Sequence, residues 1–187
     1  MLFGKKLLLW ISLGMLFLPS KTENKITILD KEAEINIHLA SKDITGSIGG
    51  LTTKVFFDPD KLYNSYVHAD LKTESVRTGS KIRDIKLMSK KFLYKKKFPT
   101  ISFRSTKIME MDHGYIVDGK LTIRDVTKKV SLDIMYSEGI IAGFASINLM
   151  DFGIEMADLR RENKLDVYIK VPVNRHAKEA DATDLDN

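Results

Sequence analysis

The chain has 187 residues, of which 43% are apolar, and a formal net charge of +5. This length suits one domain with its own hydrophobic core and is short for two. The absence of cysteine excludes a thiol nucleophile, a structural disulfide and a lipid anchor attached to cysteine. The charge is too small to indicate a nucleic-acid partner.

The amino-terminal segment, residues 1–20, has the layout of a secretory leader. Lys5 and Lys6 form a basic start, an apolar run follows, and Pro19 ends the run. The run is shorter than the roughly 20 residues that a spanning helix requires, so an uncleaved membrane anchor is the weaker alternative. The sequence therefore predicts a secreted or periplasmic protein. Its mature chain would begin near Lys21 and, without the two leader lysines, would have a net charge of +3.

From Ile26 to Val173 the sequence predicts about eight short β-strands. Apolar residues alternate with polar residues, as in strands that have one buried and one exposed face. The apolar positions are Ile35, Ile37 and Leu39; Val67, Ala69 and Leu71; Ile101 and Phe103; Tyr115, Val117, Gly119, Leu121 and Ile123; Val130, Leu132, Ile134 and Tyr136; and Val167, Ile169, Val171 and Val173. The turns between them are short, which favours antiparallel neighbours. Such strands can close into a barrel whose interior is either filled by side chains or wide enough for a ligand.

One segment, residues 77–99, interrupts this alternation. Its apolar spacing predicts a helix over residues 79–90. The predicted buried face consists of Ile82, Ile85, Met88 and Phe92, with Leu87 at its margin. Thr78 or Ser80 would cap the N-terminus of this helix. We expect the helix to lie across one mouth of the barrel or along its wall.

The same segment contains the densest positive charge of the chain. Its basic residues are Arg77, Lys81, Arg83, Lys86, Lys90, Lys91, Lys95, Lys96 and Lys97. One interpretation is a solvated helix face followed by a soluble loop. The other is a positive collar that meets an anionic headgroup or a phospholipid surface at the mouth of an apolar cavity. No aromatic-basic motif indicates RNA binding.

No group of residues predicts catalysis or metal binding. The four histidines form no local metal motif, and His38 and His68 fall on the polar positions of their strands. Asp151 near Glu155 would act as an acid–base pair only if a nucleophile were brought to it. We therefore expect no enzymatic activity, no cofactor and no metal. The C-terminal residues 175–187 have no periodic apolar positions, carry most of their charge as acid and are predicted to form a frayed tail.

Three blocks of sequence follow one another in a specific order. They are Thr78-Gly79 with Arg83-Asp84-x-x-Leu87, Phe92 and Phe98-Pro99-x-Ile101-x-Phe103; the hairpin Tyr115-x-Val117-x-Gly119-x-Leu121-Thr122-Ile123-x-x-Val126-Thr127-Lys128-x-Val130-x-Leu132; and Asp151-Phe152-Gly153-Ile154. Together they resemble the YceI-like family of polyisoprenoid-binding proteins, over most of residues 21–174. The resemblance implies a single eight-stranded, antiparallel, lipocalin-like β-barrel with one short α-helix inserted between strands. It also implies that the interior holds a long isoprenoid or fatty amphiphile and that the domain has no enzymatic activity.

The chain departs from the family pattern at three places. It has Asp84-Ile85-Lys86-Leu87 where the family often has Asp-x-His-Leu, and Asn148-Leu149 where Asn-Arg commonly precedes the late turn. Its amino-terminal strand has Asp30-Lys31-Glu32-Ala33 instead of the usual aspartate-histidine-serine opening. It is therefore identified as a divergent member.

The candidate ligand site consists of inward apolar residues and two basic side chains. The candidate lining residues are Leu39, Val55, Phe57, Val67, Leu71, Ile101, Phe103, Leu121 and Ile123. Arg83 and Lys86 are the candidates for contact with the anionic head of a lipid. Small residues such as Ala69, Gly119 and Ala145 would either leave room for a ligand or accommodate neighbouring aromatic rings.

Alternation alone does not distinguish a hollow barrel from a packed one. The alternative function is therefore an interaction module with a packed barrel, which docks on a partner or a membrane surface through residues 77–98. An outer-membrane barrel is disfavoured by the polar strand faces and by the terminal Leu185-Asp186-Asn187. An exposed strand or the helix would suit a homodimer.

Overall fold

The structure, a computed structural model, describes residues 25–176. The predicted leader and residues 177–187 of the predicted tail lie outside this range. The described part contains the strands β1 (Lys25–Ile28), β2 (Glu34–Leu39), β3 (Ile44–Ser47), β4 (Thr52–Phe56), β5 (Tyr66–Lys72), β6 (Thr100–Met111), β7 (Gly114–Ile123), β8 (Val126–Ser137), β9 (Ile140–Asn148) and β10 (Lys164–His176). One α-helix, α1 (Lys81–Leu87), lies between β5 and β6.

All pairs of neighbouring strands are antiparallel. The order across the sheet is β3-β2-β10-β9-β8-β7-β6-β5-β4, and β1 pairs with the C-terminal end of β10. The prediction of a mainly β, antiparallel, barrel-like fold with one inserted helix is confirmed. The described residues form ten strands instead of about eight, because β1 and β3 have four residues each and are too short to show an alternating pattern. β10 ends at His176, two residues inside the segment predicted to be tail.

The strand register places the predicted apolar residues on one face of the sheet. Leu121 of β7 pairs with Phe103 of β6, and Phe103 pairs with Ala69 of β5. Residues directly opposite each other in an antiparallel pair project to the same side, so these side chains all face the interior. A shift of one residue would exchange the two faces, and the apolar interior therefore specifies the register.

The two edge strands, β3 and β4, are not joined to each other by a ladder within residues 25–176. The backbone of Arg77 instead forms two hydrogen bonds of 2.8 Å with Ser47 at the end of β3. At β4, the Asp30 carboxylate accepts hydrogen bonds from the N–H and the hydroxyl of Thr53, at 2.9 and 2.7 Å. A Cβ at Gly46 would lie 2.4 Å from the carbonyl oxygen of Arg77, so glycine is required for this close approach.

α1 is shorter than predicted and is held differently. It ends at Leu87, and Ser80 occupies the N-cap position without a side-chain capping bond. The Asp84 carboxylate instead accepts hydrogen bonds from the N–H and the hydroxyl of Thr78, at 2.9 and 2.7 Å. No helix within the described range is long and apolar enough to cross a membrane.

The predicted buried face of this segment is wrong at Ile82 and Ile85, whereas Phe92 is buried as predicted, at 5% exposed. Ile82 and Ile85 are 83% and 74% exposed, whereas Arg83 and Leu87 border the barrel interior. The bonds from Asp84 to the preceding loop fix the rotation of a helix of about two turns. Tertiary contacts therefore override the apolar spacing at this position.

Eleven of the buried apolar side chains in the described residues form two separate clusters. The larger cluster lies at the end of the barrel where α1 is found and contains Leu39, Phe92, Ile101, Ile123, Ile147, Leu149, Phe152 and Ile154. The smaller cluster contains Phe103, Ile108 and Val117 of β6 and β7. Because the chain has no cysteine, packing and strand pairing stabilise the fold without covalent cross-links.

We predict that Asp30→Ala lowers the free energy of unfolding by about 1.5 to 3 kcal/mol, because the edge strand β4 loses two hydrogen bonds to a charged acceptor. The measurement is urea denaturation of the variant and of wild type. Glu32→Ala is the matched control, because Glu32 is exposed in the same turn. Equal losses for both variants would contradict the role given to Asp30.

Candidate ligand cavity

The inward side chains do not fill the barrel. Along β4 the outward residues are exposed, while the inward Thr53 and Val55 are only half-buried. The inward side chains of β8 are likewise half-buried. Inward residues that retain accessible surface must border an open space. That space has a volume of about 380 Å³, within the range of roughly 300 to 1,000 Å³ found for small-molecule sites.

The wall of this cavity is almost entirely apolar. Beyond the end of β4 it is formed by Phe57 and Tyr115, whose rings meet edge to face with centroids 5.1 Å apart. At the α1 end it includes Leu87 and Leu149. The polar side chains in the wall are Thr53, Thr78, Arg83, Tyr115 and Tyr136. An interior of this composition favours apolar ligands, because it offers few hydrogen bonds to compensate a buried polar group.

Arg83 is the one charged residue among the described residues that border the cavity. Its guanidinium donates a single hydrogen bond, of 3.5 Å, to the carbonyl oxygen of Thr78. No carboxylate of residues 25–176 lies within 4.0 Å of it, and the neighbouring Asp84 carboxylate is bonded to Thr78. A half-buried guanidinium with spare donors is suited to a carboxylate or phosphate group.

Ten of the eleven candidate site residues border the cavity. They are Leu39, Val55, Phe57, Val67, Leu71, Arg83, Ile101, Phe103, Leu121 and Ile123. Lys86 is not among the lining residues; it is exposed, and its Nζ lies 5.7 Å from the centroid of the Phe92 ring. This placement brings the candidates together, but their contact with a ligand stays a prediction.

The two explanations offered for the small residues apply at different positions. A Cβ at Gly119 would lie 2.3 Å from Cζ of Phe103, so Gly119 accommodates that ring. Ala69 and Ala145 instead border the cavity. Only the latter positions leave room for a ligand.

Several residues that line the cavity were not among the candidate lining residues chosen from the sequence. Ile48 and Leu51 lie between β3 and β4, and Ile154 and Met156 lie between β9 and β10, where no periodic pattern marks them. Other members could have been chosen from the alternation of β8 and β10 alone; these are Val130, Leu132, Ile134, Tyr136, Val167, Ile169 and Val171.

The connection between β9 and β10 covers the α1 end of the barrel and depends on a buried amide. Asn163 is fully buried, and its Oδ1 accepts hydrogen bonds from the N–H groups of Met156 and Ala157, at 2.7 and 3.2 Å. Its Nδ2 donates to the carbonyl oxygens of Ala157 and Leu159, at 2.7 and 2.9 Å. These four bonds hold Met156 where it borders the cavity.

A bidentate ion pair links Asp151, near the start of the connection between β9 and β10, to Arg160, near its end. The Arg160 guanidinium donates to both carboxylate oxygens of Asp151, at 2.7 and 2.9 Å. These hydrogen bonds lower the pKa of Asp151 from its ordinary value. The pairing makes Asp151 a structural anion, which leaves it poorly suited to act as a general base. Among the described residues no group of three histidine or acidic side chains is arranged to hold a metal ion.

Comparison with known proteins identifies the family. A family model described as the YceI-like domain matches residues 26–178.

The chain belongs to the YceI-like family.

A UPF0312 protein of Yersinia pestis is 33% identical to this YceI-like chain over 166 residues, which cover 80% of this chain and 86% of that protein. The solved structure of BcnA from Burkholderia cenocepacia superposes with a TM-score of 0.67 at 17% identity, covering 79% of this chain and 99% of BcnA. A polyisoprenoid binding domain from Saccharophagus degradans superposes with a TM-score of 0.57 at 11% identity, covering 82% and 99%. At these identities the two solved structures establish the shared fold alone. The predicted family resemblance is confirmed.

We predict that Arg160→Ala raises the pKa of Asp151 toward its ordinary value of 3.8, because the side-chain hydrogen bonds that favour the carboxylate are lost. The measurement is an NMR titration of the side-chain carboxyl group. Arg161→Ala is the control, because Arg161 is exposed and adjacent in sequence.

The sign of the pH dependence follows from this lowered pKa. The ion pair stabilises the fold above the pKa of Asp151 in the unfolded chain, and this contribution is lost as the pH falls through the lower pKa of the folded state. Wild type should therefore lose more stability than Arg160→Ala on acidification through that range. An unchanged Asp151 pKa in Arg160→Ala would contradict the assignment.

Proposed function

We propose that this YceI-like protein binds a long-chain isoprenoid or a related amphiphilic lipid and sequesters or transports it without changing it chemically. The observation that carries the proposal is an apolar cavity of about 380 Å³ with a single charged residue, Arg83, in the described wall. The apolar chain of the ligand would occupy the cavity, and an anionic head would pair with Arg83. A lipid with one apolar chain and one anionic head would match this apolar wall and its one cation.

The energetics favour selection by chain length. Burial contributes about 0.8 kcal/mol per methylene-sized group, so each five-carbon unit would contribute roughly 3 to 4 kcal/mol. Several units would nominally exceed known affinities, so the ordering of the chain and its alternative location in a membrane must offset most of this gain. The length of tail that fits the cavity would then discriminate between lipids more strongly than the head does.

Two further observations support the proposal. The solved polyisoprenoid binding domain from Saccharophagus degradans has the same fold, which makes this ligand class the first to test. The sequence of residues 1–20 has the layout of a secretory leader, and we therefore place the activity outside the cytoplasm. The proposed role needs no cofactor, and no catalytic group is part of it.

We predict that Ala69→Phe abolishes or strongly weakens lipid binding, because the new ring occupies the cavity that Ala69 borders. The measurement is equilibrium binding of a radiolabelled polyprenyl phosphate to the delipidated protein. Ala142→Phe is the control: Ala142 is also half-buried, but it pairs with Met135 and Lys170 on the outer face of the sheet.

Both variants should unfold at temperatures close to that of wild type, since Ala69 borders the cavity and Ala142 lies on the outer face of the sheet. Selective loss of binding in Ala69→Phe supports a ligand inside the barrel. Unchanged binding in a folded Ala69→Phe would place the lipid elsewhere and contradict the proposal.

We predict that Arg83→Gln weakens the binding of a polyprenyl phosphate by about tenfold to a hundredfold, because a charge-assisted hydrogen bond contributes about 1.5 to 3 kcal/mol. Binding of the neutral polyprenol of the same length should change little. The measurement is a comparison of the two dissociation constants, with Lys86→Gln as the control because Lys86 does not border the cavity. An equal effect on both lipids would show that Arg83 does not recognise the head.

A further inference from the structure

The outer face of α1 carries two nearly uncovered aliphatic side chains. Ile82 and Ile85 are 83% and 74% exposed, more than any other large aliphatic residue in the described chain, and they are three positions apart on one helical face. A single exposed apolar residue is ordinary on a protein surface, but two adjacent isoleucines exposed to this extent form a small apolar patch.

This patch cannot be buried by a rotation of the helix. The opposite face carries Arg83 and Leu87, which border the cavity, and Asp84 is bonded to Thr78 in the preceding loop. The fold therefore holds both isoleucines outward.

The surroundings of the patch are strongly basic. Residues 77–99 contain nine basic residues and one acidic residue, a net formal charge of +8, so the rest of the chain has a net charge of −3. The single acid, Asp84, is directed toward Thr78. The exposed lysines of the segment are Lys81, Lys86, Lys90, Lys91, Lys95, Lys96 and Lys97.

These lysines retain almost all of their charge for an external partner. The one ion pair recorded for them within residues 25–176 joins Lys95 to Glu74 at 3.9 Å, and both side chains are well exposed. Three lysines instead lie over aromatic rings: Lys86 and Lys91 over Phe92, and Lys97 over Phe98. Such contacts leave the ammonium groups positively charged.

We infer that the outer face of α1 docks this protein on the surface of an anionic phospholipid bilayer, with Ile82 and Ile85 inserted between headgroups. Apolar side chains flanked by lysines, as Ile82 and Ile85 are by Lys81 and Lys86 on α1, are the pattern of a helix that lies in the membrane interface. The charge complements an anionic lipid surface, which attracts basic segments over a short range that salt reduces. A partner protein would be an alternative occupant, but seven exposed lysines with a single ion pair within residues 25–176 favour the headgroup layer.

The docked orientation would bring the α1 end of the cavity to the membrane. Arg83 and Leu87 lie on the opposite side of the same two-turn helix from the inserted isoleucines. The bilayer surface and the cavity would then be separated only by the width of α1, so a lipid that leaves the bilayer would have a short path into the cavity. The docking itself rests on the outer face of α1 and does not depend on the identity of the cargo.

The test is vesicle flotation, which compares the full-length wild-type chain with the double variant Ile82→Ser/Ile85→Ser. Vesicles contain either phosphatidylcholine alone or phosphatidylcholine mixed with phosphatidylglycerol. Met135→Ser is the matched control, since Met135 is 57% exposed on the sheet far from residues 77–99 in sequence. All variants share the same amino-terminal residues, so any contribution of residues 1–24 is common to them.

Wild type and Met135→Ser should bind the mixed vesicles and bind pure phosphatidylcholine poorly, whereas the double variant should bind the mixed vesicles at least tenfold less. Raised salt should weaken the wild-type binding. Equal binding of wild type and the double variant, or equal binding to both kinds of vesicle, would overturn the inference. Absence of wild-type binding would also overturn it and would point to a protein partner.

Insertion can be observed directly with a fluorescent side chain. The one tryptophan of the chain is Trp10, outside the described residues, so Ile85→Trp and Met135→Trp each add one probe in the folded domain. A blue shift on mixed vesicles for Ile85→Trp, relative to the shift of Met135→Trp, supports insertion, and identical shifts contradict it. Retention of polyprenyl phosphate by Ile82→Ser/Ile85→Ser, measured without vesicles, separates failure of docking from failure of the cavity function.

Discussion

The apolar surface that remains uncovered inside the barrel is the constraint on which the rest of this structure depends. The alternating strands place their apolar side chains on one face, and the curled sheet holds that face around a space that its own side chains do not fill. Two packed clusters supply the core, and members of both also border the open cavity. Since apolar burial is worth about 25 cal/mol per Å², any apolar molecule that enters this space is favoured.

The two edge strands of the sheet, β3 and β4, form no ladder with each other within residues 25–176, and this leaves room for the cavity. A regular ladder between β3 and β4 would draw the two edges to the spacing of paired strands, about 4.8 Å. Each edge is instead bonded to a different segment, β3 to the backbone of Arg77 and β4 to the carboxylate of Asp30. The segment that contains Arg77 continues into α1, and the inner face of α1 supplies Arg83 to the cavity wall. The connection between β5 and β6 therefore supplies the backbone contact to β3, the cavity-lining cation Arg83 and the isoleucines of the proposed membrane surface.

The sequence predicted the features that repeat along a strand. The alternation in residues 115–136 correctly indicated antiparallel strands with an apolar inner face, and all nine apolar candidates for the cavity lining border the cavity. It could not reveal the hollow interior, because a packed and an open barrel require the same pattern. It also misplaced Ile82 and Ile85, since the orientation of α1 is set by the bond between Asp84 and Thr78. Short edge strands and wall residues in connections, such as Ile154, carry no periodic signal and become evident only in three dimensions.

The central claim is that the cavity holds a lipid, and native mass spectrometry of the protein purified from its source compartment tests it most directly. The complex would be ionised intact and then denatured, and the released molecules would be identified by lipid analysis. The cavity-binding hypothesis predicts an excess mass at one equivalent per chain that is released on denaturation as a long-chain isoprenoid or related amphiphile. A bare protein mass that stays unchanged after incubation with isoprenoid quinones and polyprenyl phosphates would contradict it.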